Sequence, residues 1–243
     1  MGGIQLVDLL CAILWQVAVF QQNLTSKLIV ETVRAHAFAS IGSVVELGCG
    51  SGWITSELLD YFDTSTSFCL SDISEEAIRS AQSRLKGVAN CDFRVGPGLD
   101  PWTSSRFDLI INDIAGIADE IATNSDWYNG VPFSAGSDGL KNSVETLSRV
   151  SSFLNSVDSC YVVPLISLSR VDAHRELLQS TFDMLHFGRE VWWPLPDTLA
   201  KNRNLLSRLA DEKTISIREK YGKTLASTQV CIAMRPIVYG GLH

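Results

Sequence analysis

Val44-Val45-Glu46-Leu47-Gly48-Cys49-Gly50-Ser51-Gly52-Trp53-Ile54 is the stretch from which the rest of the chain can be ordered. It opens as a short apolar run led by two β-branched residues, the composition of a buried parallel strand. It then breaks into glycines at alternate positions and resumes as a helix-like segment from Trp53 to Tyr61. A strand, a glycine turn and a helix N-terminus make a cradle in which a ligand lies against backbone. Glycine permits φ > 0 and close approach of the main chain. The spacing distinguishes two kinds of nucleotide cradle. The dinucleotide fingerprint wants Gly-x-Gly-x-x-Gly, and after Gly48 and Gly50 the third glycine position holds Trp53. The pattern here is Glu-x-Gly-x-Gly-x-Gly, with an acid inside the strand end. Downstream, Ser67-Phe68-Cys69-Leu70-Ser71 reads as the next strand and ends at Asp72, 20 residues after Gly52. A carboxylate at such a strand tip can accept from both hydroxyls of a ribose diol.

The combined pattern resembles the first motif of class I S-adenosylmethionine (SAM)-dependent methyltransferases. The resemblance implies that the turn Gly48, Cys49, Gly50 and Gly52 passes under the methionine part of SAM, and that Glu46 helps hold its amino group. It implies a ribose contact from Asp72 and packing of Ile73 on adenine. It also implies an α/β, Rossmann-like fold: a seven-stranded, mostly parallel sheet in the order 3-2-1-4-5-7-6 with helices on both faces. The family often has an acid just after the third strand that accepts from the adenine amine. Pro97 takes that slot here, which leaves Asp100 or a backbone carbonyl to serve.

The residues read independently agree with such a sheet. Strands are expected near 43–47, 67–71, 91–95, 107–112, 159–166, 185–192 and 227–235, and helices near 52–61, 74–86, 139–155 and 171–181. Alternating strands and helices argue a parallel sheet covered on both faces. Ser74 opens the second of these helices with Glu75 and Glu76 in its first turn, where acids suit the helix dipole. Upstream, Thr25 or Ser26 can cap a helix reaching about His36. The apolar stretch Ile4 to Phe20 is interrupted by Gln5, Asp8 and Gln16, too polar and short to span a membrane. It reads as a packed helix followed by a short strand near Val17–Phe20. Residues 1–38 are therefore expected to form a helical extension, and residues 39–243 the SAM-binding domain.

Composition sets the class. A chain of 243 residues with 46% hydrophobic and 19% charged residues forms an ordinary core. Net charge is −7 and there is no Lys/Arg-rich run, so no nucleic-acid partner is expected. None of the six cysteines forms a Cys-x-x-Cys pair, which favours a reducing, cytoplasmic setting; the four scattered histidines lack metal-ligand spacing, so no metal is expected.

In an open parallel sheet the ligand site lies at the carboxyl ends of the central strands. The fourth strand delivers Asn112-Asp113-Ile114-Ala115-Gly116 to that edge. Asn112 stands where amine-modifying class I enzymes carry the Asn of an Asn-Pro-Pro-Tyr tetrad. Pro132 to Leu140 resembles the loop after that tetrad in release-factor glutamine methyltransferases, and Phe20 to Leu28 matches their strand, loop and Thr-led helix near SAM, which points to Thr25. Asp113, Ile114 and Ala115 depart from the tetrad, however, and Asn-Asp-Ile-Ala is closer to the Asn-x-x-Ala of ribosomal-protein lysine methyltransferases. Glutamine-amide specificity is not carried over. Asn112 and Asp113 are the candidate catalytic residues: an amide orients an acceptor by hydrogen bonding, and a carboxylate holds an amine or takes its proton. The alternative role for Asp113 is to cap a segment Ile114–Ile121. Trp127 and Tyr128 are candidate substrate residues, or packed loop anchors. Asp138-Gly139 reads as the turn opening a helix.

Trp193-Pro194-Leu195-Pro196 opens an insertion of about thirty residues (194–226) before the last strand, longer than the family's usual connection. It contains a helix-like stretch Thr198–Leu209 and a charged one Asp211–Tyr221. Its expected place at the SAM edge suggests a lid or substrate wall with Trp193 near the hinge, or else a surface decoration or dimer contact. The expected activity is methyl transfer from SAM, with S-adenosylhomocysteine as product, to a small-molecule acceptor at nitrogen, without a membrane partner and with a homodimer possible. A protein side chain is the alternative acceptor. A non-catalytic SAM-binding scaffold and a nicotinamide oxidoreductase are alternatives from other classes, the last disfavoured by the glycine spacing.

Overall fold

The structure, a computed structural model, describes residues 22–237 apart from 39, 129, 130 and 132. The expected helix and strand between Ile4 and Phe20 lie outside the described residues. Five strands run parallel: β1 Ser43–Leu47, β2 Ser67–Asp72, β3 Cys91–Val95, β4 Leu109–Asn112 and β5 Cys160–Ile166. A long last strand, β9 Lys223–Pro236, lies antiparallel to β5, and β6 Phe182–Phe187 pairs with the other edge of β9. The order is β3-β2-β1-β4-β5-β9-β6, the expected topology with two further short strands, β7 Val191–Pro194 and β8 Arg218–Lys220, both on β9.

The extra strands have physical causes. The run expected as one strand at 185–192 is β6 and β7 interrupted by a bulge. Phe187 pairs with Cys231 and Val191 with Thr228, so three residues oppose two. Gly188 sits at the bulge because a Cβ there would lie 2.6 Å from Thr32 Oγ1. The early start of β9 reflects its pairing with β7 and β8.

β1 shows why the sheet is buried on both faces. Val44 packs with Leu70, Leu109, Ile111 and Val162 on one side; Val45 packs with Ile110, Tyr161 and Val163 on the other. Consecutive apolar residues are what a strand sandwiched between two helical layers requires. The first face is covered by α1 Leu24–Ala35, α2 Trp53–Leu58 and α3 Glu75–Arg84. Asn23, rather than Thr25 or Ser26, caps α1: its Oδ1 accepts from Ser26 N at 3.1 Å. The cap therefore lies upstream of the expected one, which frees Thr25 and Ser26 for other contacts. Ser74 caps α3 as expected.

After β4 come α4 Asp119–Thr123 and α5 Lys141–Leu147, the latter followed by a 3-10 turn Val150–Phe153. One continuous helix over 139–155 is replaced by these two pieces at Ser148, whose hydroxyl bonds back to Glu145 O while Arg149 N turns to Thr146 O. After β5 comes α6 Val171–Thr181. The insertion carries α7 Asp197–Ala200 and α8 Arg203–Asp211, separated where Asn202 caps a new helix. Leu195, Leu199, Leu205, Leu206 and Leu209 join Ile117, Ile121 and Leu168 in a third apolar cluster. The insertion thus packs behind the segments that follow β4 and β5.

Gly139 holds that junction together. Its φ is +78°, and a Cβ would stand 2.5 Å from Ser169 Cβ and 2.9 Å from Ala118 N. Gly139→Ala is expected to lower unfolding free energy by about 2–4 kcal/mol in urea titration. Gly87→Ala, with φ +91° and no atom within 4 Å, should cost only ~1 kcal/mol. Equal losses would show that the packing at Gly139 contributes nothing.

Candidate active site

The glycine turn is tied to the end of β2: Gly48 N and Cys49 N both donate to Ser71 O, at 2.9 and 3.0 Å. Gly48, Gly50 and Gly52 have φ of 72°, 50° and 70°. At Gly48 the need is also steric, since a Cβ would lie 3.1 Å from Asp113 O and from Ile114 Cα. The loops after β1 and β4 can approach this closely only across a glycine. Gly52 packs at the same distance on Ala81 of α3. Asp72 then knits the turn to α3, for its Oδ2 accepts from Gly50 N and its Oδ1 from Ser74 N, both at 2.9 Å. Each oxygen retains acceptor capacity.

These groups border a cleft of about 370 Å³ at the carboxyl edge. One end is lined by Thr25, Gly48, Gly50, Asp72, Ile73 and the backbone turn Gly96–Leu99. Ile73 is 59% exposed although large and apolar, a platform for a flat apolar ligand. Asp100 is not among the lining residues, and its carboxylate pairs with Arg149, which is.

The other end is lined by Asp113, Ile114, Ala115, Tyr128, Phe133 and Ile166. Asp113 Oδ2 accepts from Ser26 Oγ at 3.1 Å, so the first turn of α1 holds this carboxyl in place. Burial pushes Asp113 up to about 7, against the opposing pull of the Ser26 bond. No helix spans Ile114–Ile121, so the capping role considered for Asp113 does not arise; α4 begins at Asp119. Burial also raises the Tyr128 phenol, and the charge of Asp113 adds to the rise.

Several expected site residues stand back from the cleft surface. Glu46 is 1% exposed and accepts from Thr55 N and Thr55 Oγ1 behind the glycine turn. Burial pushes it up to about 8; the Thr55 bonds oppose the rise, and Asp113 and Asp72 reinforce it. Asn112 is turned into the sheet: its Nδ2 donates to Tyr161 Oη at 2.6 Å and its Oδ1 accepts from Ile114 N at 3.2 Å. That side chain shapes the β4 loop and does not line the cleft. Cys49 and Gly52 likewise lie behind the lining. Trp127 and Trp193 meet edge to face with centroids 5.8 Å apart inside the third cluster, and Trp193 Nε1 donates to Thr228 Oγ1. Tyr128 reaches the cleft from the same loop. No residue of 194–226 lines it: the insertion backs the wall carrying Tyr128 and Phe133 and does not cover the opening.

Other residues that line the cleft or hold its loops carried no separate signal. Asp119 clamps the loop bearing Phe133 and Ser134, accepting from Ala135 N, Gly136 N and Ser134 Oγ. Asn142 ties Ala115 O to Ser134 O. Lys141, Glu145 and Arg149 share one stripe of the segment that begins with α5 and all line the cleft. Only their four-residue spacing in the sequence hinted at this. Among the described residues there is no His/Cys/Asp/Glu cluster able to hold a metal, the five described cysteines are free, and no helix is long and apolar enough to cross a membrane.

The family described as a methyltransferase domain matches residues 40–207. Among solved structures, the chain is similar to a ribosomal protein L11 methylase from Lactobacillus delbrueckii subsp. bulgaricus (13% identity, TM-score 0.55, covering 90% of this chain and 83% of that one). It is also similar to a putative methyltransferase from Bacillus halodurans C-125 (12% identity, TM-score 0.53, covering 86% and 99%). At these identities the likeness is one of fold. No curated protein matches the chain by sequence.

Two outcomes follow from this geometry. Asp72→Ala should weaken SAM binding about tenfold or more by calorimetry, through loss of charge-assisted hydrogen bonds; unchanged affinity in a folded variant would remove Asp72 from the cofactor end. Glu46 and Asp113 hold protons in the folded chain at pH values where unfolded carboxyls have lost them. Stability should therefore decline as pH rises from the ordinary carboxylate range through about 7 and 8. Glu46→Gln keeps an acceptor for Thr55 and should flatten that decline between pH 6 and 9 in thermal melts. Parallel curves would contradict it.

Proposed function

The chain belongs to the class I SAM-dependent methyltransferases, and from that premise we propose that it methylates a nitrogen of a small-molecule acceptor held over Asp113. The observation that carries this is a carboxyl at the cleft with its pKa pushed up to about 7, held by Ser26 and lying near Tyr128. A base is most useful when its pKa lies near the operating pH. The cofactor end supports the reading: the Gly48 turn lets a ligand approach backbone, Asp72 has lone pairs to spare for a diol, and Ile73 offers a surface for a base.

When bound, SAM supplies an electrophilic methyl group on a sulfonium and leaves as S-adenosylhomocysteine. Asp113 accepts the proton that an acceptor amine must shed, at Oδ1 or Oδ2, and Ser26 fixes the rotamer in which it does so. Tyr128, Phe133 and Ile166 present an apolar wall that keeps an uncharged amine favoured over its ammonium form. Asn112 shapes the loop from beneath.

Because Asp113 must be deprotonated to act, kcat/KM is expected to rise with pH through about 7 and then level off. Asp113→Asn should lose that limb and lower kcat about a hundredfold or more, while SAM binding persists. Transfer of labelled methyl from SAM to the small-molecule and macromolecular fractions of a cell extract identifies the acceptor class. Label confined to protein would replace the small-molecule reading, and an unaltered pH profile in Asp113→Asn would remove the base.

A further inference from the structure

The insertion ends in a hairpin, β8 and the start of β9, turned by Tyr221-Gly222 with both residues in the left-handed region (φ 53° and 71°). Its position follows from the register. Ile166, which lines the reacting end of the cleft, pairs with Thr228 on β9. β9 extends five residues further to Lys223, carrying the hairpin tip about 17 Å past the carboxyl edge at the usual strand rise. Leu225 pairs with Pro194 of β7 on one side and Arg218 of β8 on the other, so β8 takes over the edge that β5 occupies lower down. Ser216 N donates to Ser167 O at that handover. The hairpin therefore stands above the carboxyl end of β5, at the rim of the reacting end.

Its two faces differ. On one, Thr224 Oγ1 donates to Glu219 and the neighbouring Trp193 and Ala226 pack into the insertion cluster. The other carries Arg218 and Lys220 on β8, with Leu225 and Lys223 directly opposite them, and Trp192 alongside on β7. Two lysines facing each other across a ladder repel. None of the three cations belongs to an ion pair among the described residues. Arg218 lies over the Trp192 ring at 3.8 Å and Lys220 over the Tyr221 ring at 5.0 Å, and Tyr221 is 90% exposed. The charge is local. Residues 194–226 carry seven Lys/Arg and four Asp/Glu, net +3, within a chain of net −7, so the remainder is net −10.

We propose that this face of the hairpin docks an acidic protein surface, carboxylates interspersed with apolar side chains, at the rim of the active-site cleft. Like-charge repulsion between Lys220 and Lys223 is relieved by an incoming carboxylate. Arg and Tyr are residue types that anchor protein interfaces, and Leu225 and Trp192 supply apolar area between the charges. A nucleic acid needs a stripe of cations to follow several phosphates; here three cations sit on a body whose charge repels a long polyanion. This docking goes beyond the small-acceptor reading and does not depend on it.

The test titrates the full chain against three labelled probes in fluorescence anisotropy: an amphipathic helical peptide with glutamates at i, i+4 spacing and leucines between them, an oligouridylate of equal charge, and the chain itself. The acidic peptide is expected to bind tightest, with affinity falling as salt rises. Lys220→Glu with Lys223→Glu should weaken it about tenfold or more, while unchanged binding of S-adenosylhomocysteine verifies that the variant is folded. Tyr221→Ser should weaken it less. No peptide binding, equal binding by the charge-reversed variant, tighter binding of the oligouridylate, or self-association that displaces the peptide would each overturn the proposal. The pH profile of methyl transfer is a separate readout, so failure of one leaves the other standing.

Discussion

Everything at the carboxyl edge depends on how closely the loop after β1 passes the loop after β4. Gly48 stands where a single methyl group would press on Asp113 O and Ile114 Cα at 3.1 Å. With no side chain there, the two loops share one surface, and the glycine turn and Asp113 border the same cleft. The turn is anchored from the other side by Ser71 O and Asp72, which collect the N–H groups of Gly48, Cys49, Gly50 and Ser74. Backbone donors that would be costly to bury unpaired are thereby used to position a carboxylate.

Two acids here are made hard to ionise by the fold, Asp113 at that surface and Glu46 beneath it. Glu46 sits on a strand covered on both faces, and Asp113 just past the end of its neighbour β4, where Asp113 N donates to Leu47 O. The charge of Asp113 adds to the rise at Glu46, and each acid has a hydroxyl donor, Thr55 for Glu46 and Ser26 for Asp113, that partly offsets the burial. The same burial that opposes ionisation brings Asp113 into the range useful for proton transfer. α1 thus contributes a hydroxyl to the site as well as an apolar face to the core.

The insertion adds a second layer to one wall. Its leucines turn inward onto Ile117, Ile121 and Leu168, and Trp193 wedges against Trp127, so the loop carrying Tyr128 and Phe133 is supported from behind. What remains outside is a cationic hairpin on an otherwise acidic body. Apolar periodicity was spent on the wall and charge on the rim.

The sequence alone determined that a parallel sheet is covered on both faces, because consecutive apolar residues such as Val44-Val45 alternate with helix-like segments, while the order of the strands was legible only through the resemblance carried by the glycine turn and Asp72. The same locality made Gly48, Gly50, Asp72, Ile73 and Asp113 legible as one group: each is the last residue of a parallel strand or lies a few positions beyond it, and parallel strands end on a common edge. Boundaries that rest on a competing local bond, such as the Asn23 cap, the break at Ser148 and the new helix at Asn202, required the structure. So did every side chain whose direction is set across the chain. Asn112 turns inward because Tyr161, 49 positions away, offers it a hydroxyl; Trp127 and Trp193 turn away from the cleft because they find each other. Asp119 enters the site only by holding a loop that tertiary packing brings near, and Asn142 both ties two loops together and lines the cleft. Position along a strand is a local property of sequence, whereas the direction a polar side chain takes depends on the partner that distant residues supply, and that was decided by the tertiary structure.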